Sequence, residues 1–152
     1  MIRTHVFSYY LTEDVNDKES AVNLDVYDMI KETDTNKVYE IPTAELRRFL
    51  DDLCWDDAKN RMITPRSVID SKDDADTDLK RHKKRIAECD LSFPILVMGD
   101  ETTLSVVQVC DGMHRLALAT TKNSETVKVR FLSLEQHDRC VEKFKQQNSS
   151  IK

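Results

Sequence analysis

A short segment around Gly112 constrains the fold of this chain more than any other part of its sequence. Ordinary proteins contain about 7% glycine, whereas this chain of 152 residues has two glycines, Gly99 and Gly112. Gly112 lies within Cys-Asp-Gly-Met-His-Arg at residues 110–115, between an apolar run and a segment with helical spacing of apolar residues. This order predicts a strand that ends at Cys110, a sharp turn at Gly112 and a helix that begins within two residues.

Such a junction has the components of an anion site. The first N–H groups of a helix have no partner inside the helix, and the helix dipole adds partial positive charge there. Gly112 lets a ligand approach the backbone, Arg115 offers donors that match phosphate oxygens, and His114 can donate or transfer a proton near neutral pH. We expect phosphate to bind at residues 112–115, with Met113 contributing its backbone N–H.

Asp111 suggests a second role beside that phosphate site. A carboxylate there can hold Mg²⁺ or accept a proton from an attacking hydroxyl group. His114 is the other candidate for catalytic proton transfer. The alternatives are structural, since aspartate is also a common helix N-cap and the side chains of His114 and Arg115 can form a solvated first turn.

The rest of the chain reads as a mixture of strands and helices. Strands are predicted at residues 4–11, 24–30, 37–41, 93–98, 104–110 and 127–132, with an extended segment at 63–69. Helices are predicted at residues 43–55, 79–89, 112–121 and 134–145. Gly99 is expected in the hairpin turn after the strand at 93–98. Thr43 is expected to cap the first of these helices, and Ser133 with Gln136 matches a capping box for the last, which would bury Leu134.

Several segments resemble the ParB N-terminal domain and its relatives. Asp-Gly-Met-His-Arg-Leu-Ala from Asp111 resembles the Gly-x-x-Arg box of that family, which cradles nucleotide phosphates. Thr64-Pro-Arg66 resembles its Asn-Pro-Arg segment, and residues 86–97 resemble its "SI…G…PI.V" stretch. The resemblance covers about half of the chain. It implies an α+β fold of the ParB/sulfiredoxin-like superfamily, with a small mixed sheet, helices packed around it and Arg66 as a further phosphate contact.

Departures from the family narrow the implied function. Sulfiredoxins resemble this box but have a reactive cysteine where this chain has Met113, so sulfiredoxin chemistry is not expected. Chromosome-partitioning members carry a helix-turn-helix domain after the box, for which residues 116–152 are too few. The Asp-Gly-x-His-Arg form is most similar to the branch that contains archaeal free-serine kinases, which move a phosphoryl group from a nucleotide to a small hydroxyl substrate.

Other groups of residues are weaker candidates. Residues 80–85, Lys-Arg-His-Lys-Lys-Arg, can form a phosphate or nucleic-acid patch, but the acidic stretch before them favours a neutralised, solvated helix face. Trp55 can stack on a base, although core packing is the usual role of a lone tryptophan beside an apolar helix face. Asp56 and Asp57 are candidates for an upstream acidic catalytic residue.

Composition limits the partners and the location. With a net charge of −5, general nucleic-acid binding is not expected, since such binding needs a basic face. No apolar run is long enough to span a membrane and the N-terminus lacks a secretory signal, so we expect no membrane partner and a cytoplasmic location. The four cysteines form no CxxC pair and are expected to be reduced and mostly buried.

Together these features predict one domain and a nucleotide-binding function. The domain comprises an N-terminal elaboration at residues 1–60, a motif-bearing core at 61–133, and a C-terminal helix and tail at 134–152. The expected activity is phosphotransfer from ATP or another nucleotide, with Mg²⁺, to a small hydroxyl substrate, or nucleotide hydrolysis. The alternatives are a non-catalytic nucleotide- or anion-binding module that regulates a partner, and a DNA-associated nuclease or adaptor of ParB-like fold.

Overall fold

The fold is α+β, as the sequence predicts. The computed structural model describes residues 6–10, 21–57, 59–72 and 76–149. Its strands are β1 (Val6–Tyr10), β2 (Ala21–Asp25), β3 (Val38–Pro42), β4 (Trp55–Asp56), β5 (Met62–Ile63), β6 (Ile95–Asp100), β7 (Ser105–Asp111) and β8 (Thr126–Phe131). Its α-helices are α1 (Val26–Thr33), α2 (Pro65–Asp70), α3 (Thr77–Glu88), α4 (Met113–Thr121) and α5 (Leu134–Ser149), and two 3-10 segments span Thr43–Glu45 and Arg47–Asp51.

The chain forms two compact units. The first comprises Met1–Lys37 and Phe131–Lys152, and the second comprises Val38–Arg130. The second unit therefore includes residues 38–60, which the sequence predicts to be part of an N-terminal elaboration. The organisation as one domain stays a prediction. Within the described residues, no helix is both long and apolar enough to cross a membrane.

In the first unit, β1 pairs with β2 in antiparallel register and α5 packs against β2 and α1. The strand predicted at residues 4–11 is confirmed for Val6–Tyr10, and its remaining residues lie outside the described ones. The strand predicted at 24–30 is wrong beyond Asp25, because α1 begins at Val26. Val26, Met29 and Thr33 are buried at helical spacing, so packing selects the helix despite the β-branched side chains.

The capping box at the start of α5 is confirmed. The N–H of Gln136 donates to Oγ of Ser133 at 3.1 Å, and the N–H of Ser133 donates to Oε1 of Gln136 at 3.0 Å. Burial of Leu134 was predicted wrongly, since this side chain is exposed. It is the first residue of α5, and the buried residues of the helix begin further along, at His137, Cys140 and Val141.

The second unit is built on a four-stranded mixed sheet of order β3-β8-β6-β7. β3 is antiparallel to β8, and β6 is antiparallel to β7. The core of this unit contains Ile41, Leu50, Val68, Ile95, Val97, Leu116 and Val129, each at most 2% exposed. Helix α4 packs against β6, α2, α3 and both 3-10 segments, which places its first turn at the meeting point of several elements.

Gly99 does not lie in the hairpin turn that the sequence predicts for it. It belongs to β6, where it pairs with Val106 next to a bulge, and the turn lies at residues 101–104. A Cβ atom on Gly99 would lie 2.0 Å from the carbonyl oxygen of Ser105. Glycine is required here for close approach of two backbones, which is the usual meaning of a glycine inside a strand.

Two predictions near prolines also fail. The helix expected from Thr43 is replaced by the two 3-10 segments, and the buried hydroxyl of Thr43 has no hydrogen-bond partner in the described part of the chain, so it does not act as the expected cap. The extended segment expected at 63–69 is instead helix α2 from Pro65. Thr64 caps it by accepting from the N–H of Ser67 at 3.1 Å, which agrees with the preference of proline for the first helical position.

The four cysteines all lie within the described residues, and none of them forms a disulfide bond. Cys110 and Cys140 are buried, Cys89 is half-buried and Cys54 is exposed. Burial raises the pKa of the Cys140 thiol to about 11, so this sulfur stays protonated at neutral pH. The expectation of mostly buried thiols therefore fails for Cys54.

Candidate functional site

The junction between β7 and α4 has the geometry that its sequence predicts. β7 ends at Asp111, α4 begins at Met113, and Gly112 between them has φ 106° and ψ 21°. This left-handed conformation strains any residue that has a side chain, so glycine is suited to it. The first α4 hydrogen bond runs from the N–H of Leu116 to the carbonyl of Gly112 at 2.9 Å. The N–H groups of residues 113–115 therefore precede the hydrogen-bond ladder of the helix.

The side chain of Arg115 folds back over this junction. A helical Cα–Cβ bond tilts toward the helix N-terminus, so a side chain in the first turn reaches in that direction. Nη2 of Arg115 lies 3.0 Å from Oδ2 of Asp111. A Cβ atom on Gly112 would lie 2.9 Å from Nη2 of Arg115 and 3.2 Å from Cα of Ile95. Glycine is therefore needed at position 112 both for its backbone angle and to leave room for the guanidinium group.

Arg115 is a cation placed at the positive end of a helix dipole. That placement is unfavourable by itself, and the Asp111 carboxylate offsets it. The Arg115 and Asp111 side chains are only 20% and 24% exposed. Nε of Arg115 is buried and has no hydrogen-bond partner among the residues that the structure describes. A buried donor without an acceptor costs about 1–3 kcal/mol, so an added acceptor at this atom would be stabilising.

Arg115 also lines a cavity of about 100 Å³ in the second unit. The lining combines two cations, one carboxylate and an apolar wall, and its residues are Glu40, Leu91, Phe93, Ile95, Arg115, Thr126, Val127 and Lys128. Phe93 is 59% exposed, so its ring faces solvent as well as the cavity. Small-molecule sites usually occupy about 300–1,000 Å³. This cavity can therefore enclose a group such as a phosphate, but not a whole nucleotide.

The field of these two cations reaches the neighbouring Asp90. Its pKa lies below the ordinary value, chiefly because Ser92 donates to the carboxylate from its side chain and from its backbone N–H, the latter at 2.8 Å. Lys128 and Arg115 lower the pKa of Asp90 further. The positive potential of Lys128 and Arg115 therefore extends as far as Asp90.

His114 points to different surroundings from those of Arg115. Its Nε2 lies 3.1 Å from Nδ1 of His82 on α3, and its ring stacks on Trp55 with centroids 4.3 Å apart. The ring of His82 stacks on Trp55 as well, at 4.5 Å. The two imidazole centroids are 5.4 Å apart, whereas centroids on opposite faces of the indole would be separated by about the sum of the two stacking distances. Both histidines therefore lie side by side on one face of Trp55.

The His82 ring is almost fully enclosed, with the residue 5% exposed. Burial lowers its pKa, the positive charges of Arg81 and Arg85 lower it further, and the hydrogen bond to the Asp56 carbonyl together with the charge of Asp78 opposes the shift. His82 is therefore neutral at pH 7, since its pKa lies below the ordinary value of 6.5.

Among the described residues, the side-chain hydrogen bonds of Arg66 go to the second 3-10 segment and not to the Gly112 junction. Its Nε donates to Oδ1 of Asp51 at 2.6 Å, and its Nη2 donates to the carbonyl of Arg47 at 3.2 Å. The Asp51 carboxylate raises the pKa of Arg66 above its ordinary value. These bonds attach α2 to the second 3-10 segment, which is a structural role.

Asp56 and Asp57, at the end of β4, have different roles. The carboxylate of Asp57 accepts hydrogen bonds from the backbone N–H groups of Lys59 and Arg61 at 2.9 Å and from the Arg61 guanidinium at 2.7 Å. These bonds hold the pKa of Asp57 below its ordinary value and close the turn between β4 and β5. Asp56 contributes its backbone carbonyl, which lies 3.3 Å from Nε2 of His82.

The basic run at residues 80–85 lies on α3 and agrees with the interpretation of a solvated helix face. Arg81 pairs with Asp78 at 3.2 Å and Lys84 with Glu88 at 4.0 Å, and both cations are exposed. His82 is the buried member of this run. Met113, the remaining predicted contact, is the half-buried first residue of α4.

The side chains that surround Arg115 and His114 were not predicted from the sequence. Lys128 and Phe93 join Arg115 at the cavity, and His82 and Trp55 join His114. A signal existed for His82, because it shares an apolar helix face with Ile86. The sequence contains no comparable signal for Lys128, which alternates with buried residues on β8 like any other polar strand residue.

The described part of the chain has no cluster of three or more His, Cys, Asp or Glu side chains that could hold a metal ion. No protein-family model matches the sequence, and comparisons with curated proteins and with solved structures returned no match. The resemblance to the ParB/sulfiredoxin-like superfamily therefore stays a prediction that depends on the motif residues alone.

Proposed function

We propose that this chain is a nucleotide-binding protein of the ParB/sulfiredoxin-like superfamily whose phosphate site is centred on Arg115. The observation that carries the proposal is the position of the Arg115 side chain. It lies over the N-terminus of α4, has a buried Nε without a partner among the described residues, and lines a cavity that also receives Lys128. Three sources of positive potential meet there, namely two cationic side chains and the helix N-terminus.

A nucleotide fits these features better than inorganic phosphate does. The cavity of about 100 Å³ accommodates the phosphate end of a ligand, so the remainder has to lie outside. Phe93 offers an exposed aromatic ring at that position, and stacking of a base on an aromatic side chain contributes about 1–3 kcal/mol. The expected ligand is therefore a phosphate chain that carries a planar base.

The proposed reaction is transfer of a phosphoryl group to a small hydroxyl substrate or to water. Asp111 and His114 are the side chains at the junction that can accept a proton. Mg²⁺ commonly binds one or two carboxylates together with substrate phosphates, and Asp111, a single partly exposed carboxylate paired with Arg115, fits a metal that arrives with those phosphates. Bound in this way, the metal would neutralise phosphate charge. An intracellular location belongs to the same proposal and is supported by the four cysteines, none of which forms a disulfide bond.

One observation favours the second candidate, a non-catalytic nucleotide-binding module that regulates a partner. His114 is packed against Trp55 and His82 and is not among the residues that line the cavity. Binding without turnover would agree with this arrangement. Measurement of nucleotide hydrolysis and of transfer to small hydroxyl compounds separates the two candidates once binding is established.

The test of binding is a thermal-shift titration with ATP, ADP and CTP, each with and without Mg²⁺. At a concentration of about 100 times Kd, binding adds about 2.7 kcal/mol, which raises the Tm of a protein of this size by roughly 5–10 °C. Arg115→Ala and Lys128→Ala should each abolish or strongly reduce the shift. Lys84→Ala is the matched control, since it removes an exposed cation from α3 and should leave the shift unchanged.

The proposal fails if no nucleotide changes the Tm of ligand-free protein. It also fails if Arg115→Ala, with an unchanged Tm in the absence of ligand, retains the full shift. A shift that Lys84→Ala removes and Arg115→Ala retains would move the binding site to the basic run on α3.

A further inference from the structure

Glu40 is the acidic residue in the lining of the cavity that Arg115 also lines. It lies on β3, an edge strand of the sheet, directly opposite Lys128 on β8. Opposed residues of antiparallel strands have Cβ atoms about 4.5–5.5 Å apart, with both side chains on the same face of the sheet. The carboxylate of Glu40 and the ammonium group of Lys128 are therefore neighbours in the lining of one cavity.

The strand order sets the order of the charges across this cavity. Arg115 lies at the β6 side, since its guanidinium group covers Gly112, whose backbone closely approaches Ile95. Lys128 follows on β8, and Glu40 lies beyond it on β3. Neighbouring strands are about 4.8 Å apart, so β6 and β3 are separated by roughly 10 Å. A phosphate chain that extends from Arg115 past Lys128 therefore approaches the Glu40 carboxylate.

The carboxylates of Asp111 and Glu40 differ in their availability to a ligand. Asp111 is paired with Arg115 at 3.0 Å and is not among the residues that line the cavity. Glu40 lines the cavity and is exposed. Within the described part of the chain, its carboxylate forms no hydrogen bond or ion pair. Glu40 is therefore the carboxylate that a ligand in the cavity meets first.

The positive charges at the cavity are already balanced by carboxylates. Asp111 offsets Arg115. Glu40 offsets Lys128, and Asp90 lies close enough to both cations for them to lower its pKa. A phosphate next to Glu40 is repelled, whereas a divalent cation between the two groups attracts both. Mg²⁺ commonly binds one or two carboxylates together with substrate phosphates, so Glu40 and a phosphate chain together form a suitable set of oxygen ligands.

We infer that Glu40 holds the divalent cation that accompanies the phosphate chain, and that this contact makes nucleotide binding depend on Mg²⁺. The inference rests on the proposed function and places the metal contact on β3, outside residues 110–115. Mg²⁺ usually keeps several of its waters, so Glu40 contacts it directly or through one of them. Without the cation Glu40 opposes the phosphates, and with it Glu40 helps to bind them. Glu40 thereby selects metal-bound nucleotide over free nucleotide.

Glu40→Gln tests the inference because its two expected effects have opposite signs. Calorimetric titration of the full chain with adenylyl imidodiphosphate, once with excess Mg²⁺ and once with EDTA, measures both affinities. We expect the variant to bind the Mg²⁺ complex about 10-fold more weakly than the wild type and the metal-free nucleotide about 5-fold more tightly. Glu45→Gln is the matched control, since it removes an exposed carboxylate of the same unit that does not line the cavity, and it should change neither affinity.

The other outcomes of these titrations overturn the inference. Tighter binding by Glu40→Gln under both conditions would show that Glu40 only repels phosphate. Weaker binding under both conditions, no change in either, or equal binding by the wild type with and without Mg²⁺ would exclude Glu40 as the residue that holds the cation. In each of these cases the nucleotide still binds and the proposed function stands. Absence of binding to the wild type under both conditions contradicts the proposed function and the inference with it, so the two failures are distinguishable.

Discussion

Two aromatic side chains near the start of α4 differ in their relation to solvent. Trp55 is 8% exposed and has the rings of His82 and His114 stacked on one face. Phe93 is 59% exposed and lines the cavity that Arg115 and Lys128 share. We refer to Trp55, His82 and His114 as the His114 face of the junction, and to Phe93, Arg115 and Lys128 as its Arg115 face.

These two faces show that adjacent residues of one motif can belong to different sites. Successive residues of an α-helix are rotated by about 100° around the helix axis. The side chains of His114 and Arg115 therefore point in different directions. On the His114 face the rings of Trp55 and His82 are buried, whereas the Arg115 face contains open volume, exposed aromatic surface and a buried donor. The stability of the protein should therefore depend mainly on the His114 face, and ligand binding mainly on the Arg115 face.

The largest expected effect is that of Trp55→Ala. Loss of a buried aromatic side chain costs about 3–5 kcal/mol, and the two stacked imidazoles lose their support. Denaturant unfolding followed by circular dichroism measures the change. Phe93→Ala is the matched control, since exposed substitutions usually change stability by about 0.5 kcal/mol or less. Similar losses in the two variants would remove the proposed division between the faces.

Gly112→Ala should destabilise the chain by about 1–3 kcal/mol, the cost of a residue with a side chain in an unfavourable backbone region. The added methyl group also meets Nη2 of Arg115, at 2.9 Å. In the double variant with Arg115→Ala that contact is removed while the backbone strain remains, so only part of the loss should be recovered. Full recovery would show that the left-handed angle of Gly112 contributes nothing.

A pH dependence should distinguish the His114 face from the rest of the chain. The pKa of His82 lies below the ordinary value of 6.5 in the folded protein. Between these two values the unfolded chain binds a proton that folded His82 does not, so the free energy of unfolding increases with pH there. We expect stability to decrease as the pH falls below about 6.5. His82→Asn should flatten this decrease in urea titrations at pH 5–8, and an unchanged slope would exclude His82 as its source.

The smallest expected change in stability accompanies Phe93→Ala, and its effect should appear in binding instead. Loss of one stacked base reduces affinity by about 1–3 kcal/mol for a nucleotide, while affinity for inorganic pyrophosphate should not change. Calorimetric titration with both ligands checks this difference. Equal losses for the two ligands would indicate a distorted cavity, and no loss for either would exclude Phe93 as the base platform.

Local features of the sequence were sufficient for the α4 junction. The apolar run of β7, a rare glycine and helical spacing after it act over a few residues, so the junction could be predicted without the rest of the chain. The prediction of a turn at Gly99 was wrong because glycine is needed there for another reason. It allows close contact with the backbone of Ser105, and this contact depends on the register of β6 and β7. The strand predicted where α1 lies was wrong for a similar reason, since burial of Val26 and Met29 depends on packing in the first unit.

The placement of His114 and Arg115 on two different faces could not be predicted from the sequence either. His82 lies 32 residues before His114, and Lys128 lies on a strand that follows α4. No local pattern relates these residues to Arg115 or His114. The chemistry of the individual side chains was predictable, whereas the partner of each depended on how α3, α4 and β8 pack together.

The central claim is that nucleotide phosphates bind on the Arg115 face. Titration of ¹⁵N-labelled protein with Mg²⁺–ATP, followed by amide NMR signals, tests it most directly. The account predicts saturable shifts at Gly112, Met113 and Lys128 that disappear in Arg115→Ala, with small changes at Trp55 and His82. Saturable shifts confined to Trp55, His82 or the basic run of α3, or the absence of any shift, would contradict it.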